Sequence, residues 1–147
     1  MIRKINMDDK ALYMELATEF YASDAVMKPV PNEYIENTFL ELMRSDDYLE
    51  CYILSSDDRP AGYALLAKTF SQEAGGLAVW LEEIYIRDEF RGKGLGSEFF
   101  EFLKNGPAKD AKRIRLEVEE DNKGAIRLYE RQGFTILPYM QMIKDFD

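Results

Sequence analysis

The chain has 147 residues, 46% of them apolar, with 19 basic and 28 acidic side chains and a net charge of −9. That length suits one domain, residues 1–147, with a real core, and the composition excludes a disordered chain. A field this negative repels nucleic acid phosphates and attracts a cationic substrate. Histidine is absent and Cys51 is the single cysteine. That excludes a Ser-His-Asp triad, a Cys-His pair, a His-ligated metal, a cysteine zinc cluster and an intrachain disulfide. Acid–base chemistry falls to Glu, Asp, Tyr, Lys or water, and no metal is expected. No apolar run approaches the roughly 20 residues of a bilayer span. No long apolar stretch follows Arg3 and Lys4, so a cytoplasmic protein without a leader is expected.

Residues 1–6 read as a short strand. Tyr13, Leu16, Ala17 and Phe20 then recur at the spacing of one helix face. Pro29 and Pro31 interrupt the chain, and Asn32 is positioned to cap a second helix with Ile35, Phe39, Leu42 and Met43 on one face. Residues 48–55 and 61–69 form a hairpin about the Asp57-Asp58-Arg59-Pro60 turn, with Cys51 in the core. Residues 77–86 are apolar on both alternating faces except at Glu82 and Glu83, as in a central strand covered on both sides. A helix follows with Leu95, Phe99, Phe102 and Leu103 inward, then an alternating strand at 113–119. A last helix starts near Asn122 and ends at Gly133, and 134–145 should close the sheet with one or two strands. The order β-α-α-β-β-β-α-β-α-β describes an α/β domain with a mixed sheet and helices on both faces.

The segment Arg91-Gly92-Lys93-Gly94-Leu95-Gly96-Ser97 joins a strand to a helix. Its three glycines in five residues let the backbone approach a ligand closely. The first helical N–H groups lack intrahelical partners, and with the helix dipole they suit an anion such as a pyrophosphate. Arg91 and Lys93 add positive charge. The competing reading is a glycine-rich surface turn. The spacing is neither a Walker A loop nor the dinucleotide fingerprint.

Three runs together resemble the GNAT N-acetyltransferase superfamily. Arg91, Gly94 and Gly96 match its Arg/Gln-x-x-Gly-x-Gly/Ala motif. Leu81-Glu82-Glu83-Ile84-Tyr85-Ile86 stands where that family has a run like Leu-Glu-Asp-x-Tyr-Val. Asn122, Ala125, Tyr129, Gly133 and Phe134 match its Asn-x-x-Ala-x-x-x-Tyr-x-x-x-Gly-Phe pattern. The resemblance implies the GNAT fold: a mixed, mostly antiparallel, seven-stranded sheet splayed into a V between the strands at 77–86 and 113–119. It implies acetyl-CoA as co-substrate and a primary amine as acceptor, with a homodimer left open as the assembly. By carry-over, Ile84, Tyr85 and Ile86 meet the pantetheine arm, and the amides of Arg91, Gly92, Lys93, Gly94, Leu95, Gly96 and Ser97 hold the pyrophosphate. Asn122 contacts the pantetheine arm, caps its own helix, or does both.

Acyl transfer to an amine needs a proton acceptor for the amine and a donor for the departing thiolate. Glu82 is the favoured base and Glu83 the alternative, with strand alternation placing Glu82 on the face of Trp80, Ile84 and Ile86. Either carboxylate could instead sit in an ion pair. Tyr129 is the proposed acid, and a packing role in the stripe Ala125, Leu128, Tyr129 is its alternative. Trp80, Phe20, Tyr21, Tyr34 and Phe39 are expected mostly in the core. Asp24, Glu33 and Glu36 are expected near the acceptor or on a solvated face. The second function class is a non-catalytic acyl-CoA-binding or sensing domain on the same fold. A third is an interaction module.

Overall fold

A computed structural model of the protein describes residues 1–146. The first strand, β1 (Ile2–Lys4), leads through a 3-10 turn at Met7–Asp9 into α1 (Lys10–Tyr21). The turn carries a capping box: Asn6 accepts from the Asp8 amide, and the Asp9 carboxylate accepts from the Asn6 amide at 2.8 Å. Asp9 is buried and also takes both guanidinium nitrogens of Arg3 at 2.8 Å. That pair ties β1 to the helix start and holds the Asp9 carboxyl below its ordinary range.

Helix α2 (Asn32–Arg44) follows, with Pro31 in the N-cap position and Asn32 as its first helical residue. Asn32 is therefore not the cap. Proline fits the boundary because its φ is fixed and no N–H is needed there. Ile35, Phe39, Leu42 and Met43 face inward as their spacing requires. Tyr34 does not, and lies exposed.

Strands β2 (Leu49–Ser56) and β3 (Arg59–Ser71) meet at Asp57 and Asp58, both at positive φ. A two-residue turn of that hand matches strand twist. Strand β4 (Gly76–Ile86) runs back antiparallel to β3. Gly62 of β3 permits their close crossing, since a Cβ there would lie 1.9 Å from the Tyr85 carbonyl oxygen. Helix α3 (Leu95–Asn105), strand β5 (Arg113–Leu116) and helix α4 (Lys123–Arg131) complete the elements.

The sheet order is β1-β2-β3-β4-β5, antiparallel except for the parallel β4–β5 pair. This is the expected mixed sheet, with five strands in place of seven. β5 stops at Leu116, and residues 134–146 form no ladder. A closing strand exists only where its backbone groups find an edge, and this segment pairs with none. Two clusters cover the two faces: α1 and α2 pack on Cys51, Ile53, Tyr63 and Leu65, and α3 packs on Leu54, Leu66, Val79 and Leu81. Cys51 is fully buried, and burial pushes its thiol pKa up.

Candidate active site

The β4–β5 ladder runs from Ala78↔Arg113 to Leu81↔Leu116 and then ends. Beyond it the two strands stand apart, and a cleft of about 1470 Å³ opens between 82–86 and 117–119. The chain after α1, the start of α3 and one side of α4 form its other walls. The Arg87 amide bonds to the Ala61 carbonyl of β3 at 2.8 Å, and the Ile86 carbonyl takes Arg91 Nε at 2.8 Å. Alternation along a strand then turns the N–H and C=O groups of Ile84 and Ile86 toward the open edge and those of Tyr85 toward β3. An extended amide-bearing chain laid in the cleft would find the Ile84 groups and the Ile86 amide on this edge unpaired, while the Ile86 carbonyl is taken by Arg91.

The register slips between Leu65/Leu66 of β3 and Glu83/Leu81 of β4, leaving Glu82 as an extra residue. This bulge corrects the alternation expected from the sequence. Leu77, Val79 and Leu81 share the α3 face with Ile84 and Ile86, so Trp80 does not share the face of Ile84 and Ile86. Glu83 and Tyr85 lie on the α1 face. Trp80 instead stacks under the Arg115 guanidinium, 4.1 Å from its ring centre.

The two carboxylates differ sharply. Glu83 is half-buried and takes a phenol on each oxygen: Tyr63 on Oε1 at 2.7 Å and Tyr21 on Oε2. Burial raises its pKa, and the two phenols pull it part of the way back. Glu82 is exposed at the cleft, with no hydrogen-bond partner among the described residues. Loss of surrounding water raises its pKa, followed by the nearby charges of Glu117 and Glu83. Among the described residues, neither forms the ion pair that was the competing expectation.

Gly92 and Gly94 adopt φ +74 and +83, the left-handed region that disfavours side chains, and Gly94 is the N-cap of α3. Gly96 serves packing: a Cβ there would sit 2.9 Å from Leu128 of α4. Leu95, Gly96 and Ser97 open the helix with amides free of intrahelical partners, and all three line the cleft. Arg91 departs from expectation. Its amide bonds to Asp88 and its guanidinium turns back to the Ile86 carbonyl and Asp88. Lys93 also points elsewhere, with its ammonium 5.5 Å from the Phe90 ring centre. The Tyr85 phenol turns to Glu19, which Arg87 also holds.

On the far wall, Asn122 caps α4, accepting from the Ala125 amide at 3.2 Å. Tyr129 lines the cleft, with its ring edge-on to Phe100 at 5.9 Å and to Phe134 at 6.0 Å. Its hydroxyl has no partner among the described residues, and burial raises its pKa, so it keeps its proton at neutral pH. Asp24 lines the cleft; Glu33 and Glu36 do not, and Glu36 pairs with Lys10 instead. Sequence reasoning missed the Tyr21–Glu83–Tyr63 cluster. The available signal was Tyr63 inside an otherwise apolar strand, because a buried phenol needs a polar partner. No group of three or more His, Cys, Asp or Glu among the described residues is arranged to hold a metal. No helix among them is long and apolar enough to cross a membrane.

An open strand edge leads here to a glycine-capped helix start with three free amides, an arrangement suited to an extended ligand that carries an anionic group. Residues 10–134 match the model of the Acetyltransferase (GNAT) family. A spermine/spermidine N(1)-acetyltransferase of Bacillus subtilis is 34% identical over 110 residues, covering 69% of this chain and 70% of that protein. A bovine (Bos taurus) thialysine N-epsilon-acetyltransferase is 31% identical over 107 residues, covering 63% of this chain and 62% of that protein. Among solved structures, a predicted acetyltransferase with acetyl-CoA from Clostridium acetobutylicum superposes at a TM-score of 0.78 and 16% identity, covering 98% of this chain and 95% of that one. AAC(6')-Iy in complex with a bisubstrate analogue gives 0.81 and 16%, covering 100% and 98%. The structures establish the likeness of fold. The chain belongs to the Acetyltransferase (GNAT) family, and is an acetyl-CoA-dependent N-acetyltransferase.

Proposed function

We propose that the chain, working as one domain in the cytoplasm, acetylates a small cationic alkyl amine of the diamine or polyamine kind, by direct attack on the thioester. The carrying observation is Glu82: an unpartnered carboxylate at the bulge where the open edge of β4 begins, with its pKa raised. Glu83, Glu117, Glu119 and Asp24 add acidic groups to the same cleft. The spermine/spermidine and thialysine acetyltransferases among its relatives fit this reading.

An alkyl amine with pKa near about 10.4 arrives mostly protonated at neutral pH. Glu82, directly or through water, takes a proton from it, and its raised pKa makes it a stronger base than an ordinary carboxylate. Glu83 already accepts from two phenols and serves better to orient the ammonium. The neutral amine nitrogen forms a bond to the acetyl carbon, loses a second proton to solvent, and the carbon–sulfur bond breaks as the tetrahedral intermediate collapses to the amide. Tyr129 donates its phenolic proton to the departing thiolate and recovers one from solvent. The amides opening α3 and the Ile84 and Ile86 backbone groups are the proposed contacts for pyrophosphate and pantetheine, with Asn122 nearby.

The experiment is an amine panel scored by CoA release. Diamines and polyamines should give the highest kcat/KM. Uniformly poor turnover with tight acetyl-CoA binding would instead identify a sensing domain. Tyr129→Phe sharpens the mechanism: kcat should fall about 10²-fold or more with acetyl-CoA affinity nearly unchanged. An acyl donor with a more acidic thiol should rescue part of the loss. A full-rate Tyr129→Phe enzyme would remove Tyr129 and leave water as the acid.

A further inference from the structure

Among the described residues, the partly buried carboxylates are matched to cations, with one exception. Asp9 takes Arg3, Glu19 takes Arg87 at 2.9 Å, Glu41 takes Arg44 at 2.7 Å and Glu50 takes Lys68 at 3.1 Å. Glu83 takes none. Its partners are the phenols of Tyr63 and Tyr21, one on each oxygen. The titratable groups that face it are those two, Tyr13 of α1, Cys51 of β2 and Glu82 on its own strand, and none of them is basic.

A carboxylate taken out of water without a cation costs stability, so other groups must hold it. Phenols can do so by hydrogen bonding to the charged form. Both phenols here are fixed by packing. Tyr63 is fully buried, and its ring meets Tyr13 edge-on at 5.6 Å and Phe20 at 6.2 Å. Tyr21 is the last residue of α1, with its ring edge-on to Phe20 at 5.1 Å. Burial pushes both hydroxyls up, so they keep their protons and go on donating. Two fixed donors leave the carboxylate one orientation. Glu83 also lines the cleft, so its remaining acceptor capacity and its uncompensated charge are available to what enters.

We propose that Tyr21 and Tyr63 are positioning residues: their hydroxyls hold the Glu83 carboxylate in one place, and the counter-ion that the protein omits is supplied by the ammonium of the acceptor. This rests on the reading of the acceptor as a cationic amine. The two phenols take no part in acyl transfer, and no proton passes between them and the reacting atoms. They act through Glu83 on how firmly the acceptor is held, so their effect belongs in KM and not in kcat. They also divide the work of two adjacent acids. Glu83 is kept charged and oriented, and Glu82, which has no donor among the described residues, is left to take up the proton.

The test assays the full-length enzyme with spermidine. Tyr63→Phe keeps the ring and removes one donor. It should raise KM for spermidine about tenfold at neutral pH and change kcat by less than about threefold. Losing a donor to the charged form raises the Glu83 pKa further, so the KM ratio should shrink as pH rises and Glu83 recovers its charge. Tyr52→Phe is the control. It deletes a phenol that donates to Glu50 at 2.9 Å on the α3 face, and it should cost similar stability with KM unchanged. An equal KM defect in Tyr52→Phe would reduce the effect to lost stability and overturn the proposal. In a Glu83→Gln background, Tyr63→Phe should change KM no further. An additive defect there would overturn the proposal, and so would an unaltered KM in both Tyr63→Phe and Tyr21→Phe. A carbon NMR titration of the carboxyl groups needs no acceptor, and Glu83→Gln assigns the Glu83 signal. That signal should titrate at higher pH in Tyr63→Phe than in the unaltered protein; an unmoved titration means that the phenol does not hold Glu83. If the unaltered enzyme leaves spermidine untouched, the polyamine reading fails by itself, and the titration still decides the hold on Glu83.

Discussion

The two halves of β4 have opposite tasks. From Ala78 to Leu81 the strand is paired on both edges, and Ala78, Val79 and Leu81 are buried. From Glu82 to Ile86 it is paired only with β3, every residue keeps some access to solvent, and the free edge faces a cleft. The change comes at one inserted residue, Glu82. The lesson is that a bulge can end a strand's structural duty and begin its functional one without interrupting its pairing to the other neighbour.

The largest effect should come from the closed half. Leu81→Ala removes a fully packed side chain and should cost about 2–5 kcal/mol in urea denaturation. Ile84→Ala, in the half-open stretch, should cost less than half as much. Equal losses would mean that the two halves bear the fold alike.

Glu82→Gln tests the open half. It should lower kcat/KM about 10²-fold at neutral pH, and the deficit should shrink at high pH, where the amine is already neutral. The wild-type acid limb should lie above the ordinary carboxylate range, because the Glu82 pKa is raised. The stability sign is opposite to that of an ion-paired acid. A raised carboxyl binds more protons in the folded state, so its contribution is present at low pH and is lost as pH rises through the folded value. Glu82→Gln should therefore hold or raise the neutral-pH Tm. A flat activity ratio across pH would make Glu82 a positioning group.

The smallest effect distinguishes loop strain from ligand contact. Gly94 and Gly75 both sit at positive φ with open space around them, but only Gly94 lies at the cleft. Valine at either should strain the backbone similarly. Gly94→Val should in addition weaken acetyl-CoA binding at least tenfold by calorimetry, about 1.4 kcal/mol. Equal affinities in the two variants would reduce the loop to a surface turn.

Much of this was legible in the sequence because period and spacing are local. The inward stripes of α1 and α2, the buried Cys51, the helix between Asn122 and Gly133 and the mixed sheet all follow from short-range pattern. The bulge was not legible, since residues 77–86 read as one uninterrupted alternation and the slip exists only against β3. The same limit hid the grip on Glu83, whose phenols lie 62 and 20 residues away in sequence. It also hid the fate of 134–145, which join no ladder, because a local pattern does not supply an edge to pair with. The inward turn of Arg91 was missed because a motif names a residue type and not its rotamer.

The burial of Cys51 has a practical side. Acetyl transfer liberates one free thiol per turnover, and disulfide reagents titrate that thiol by colour. A protein whose own sulfhydryl is shut inside the sheet, with its ionisation suppressed, adds almost nothing to the signal, because only a thiolate reacts. The folded enzyme is therefore silent in the assay that follows its product. A slow rise in colour without an acceptor would report unfolding rather than turnover.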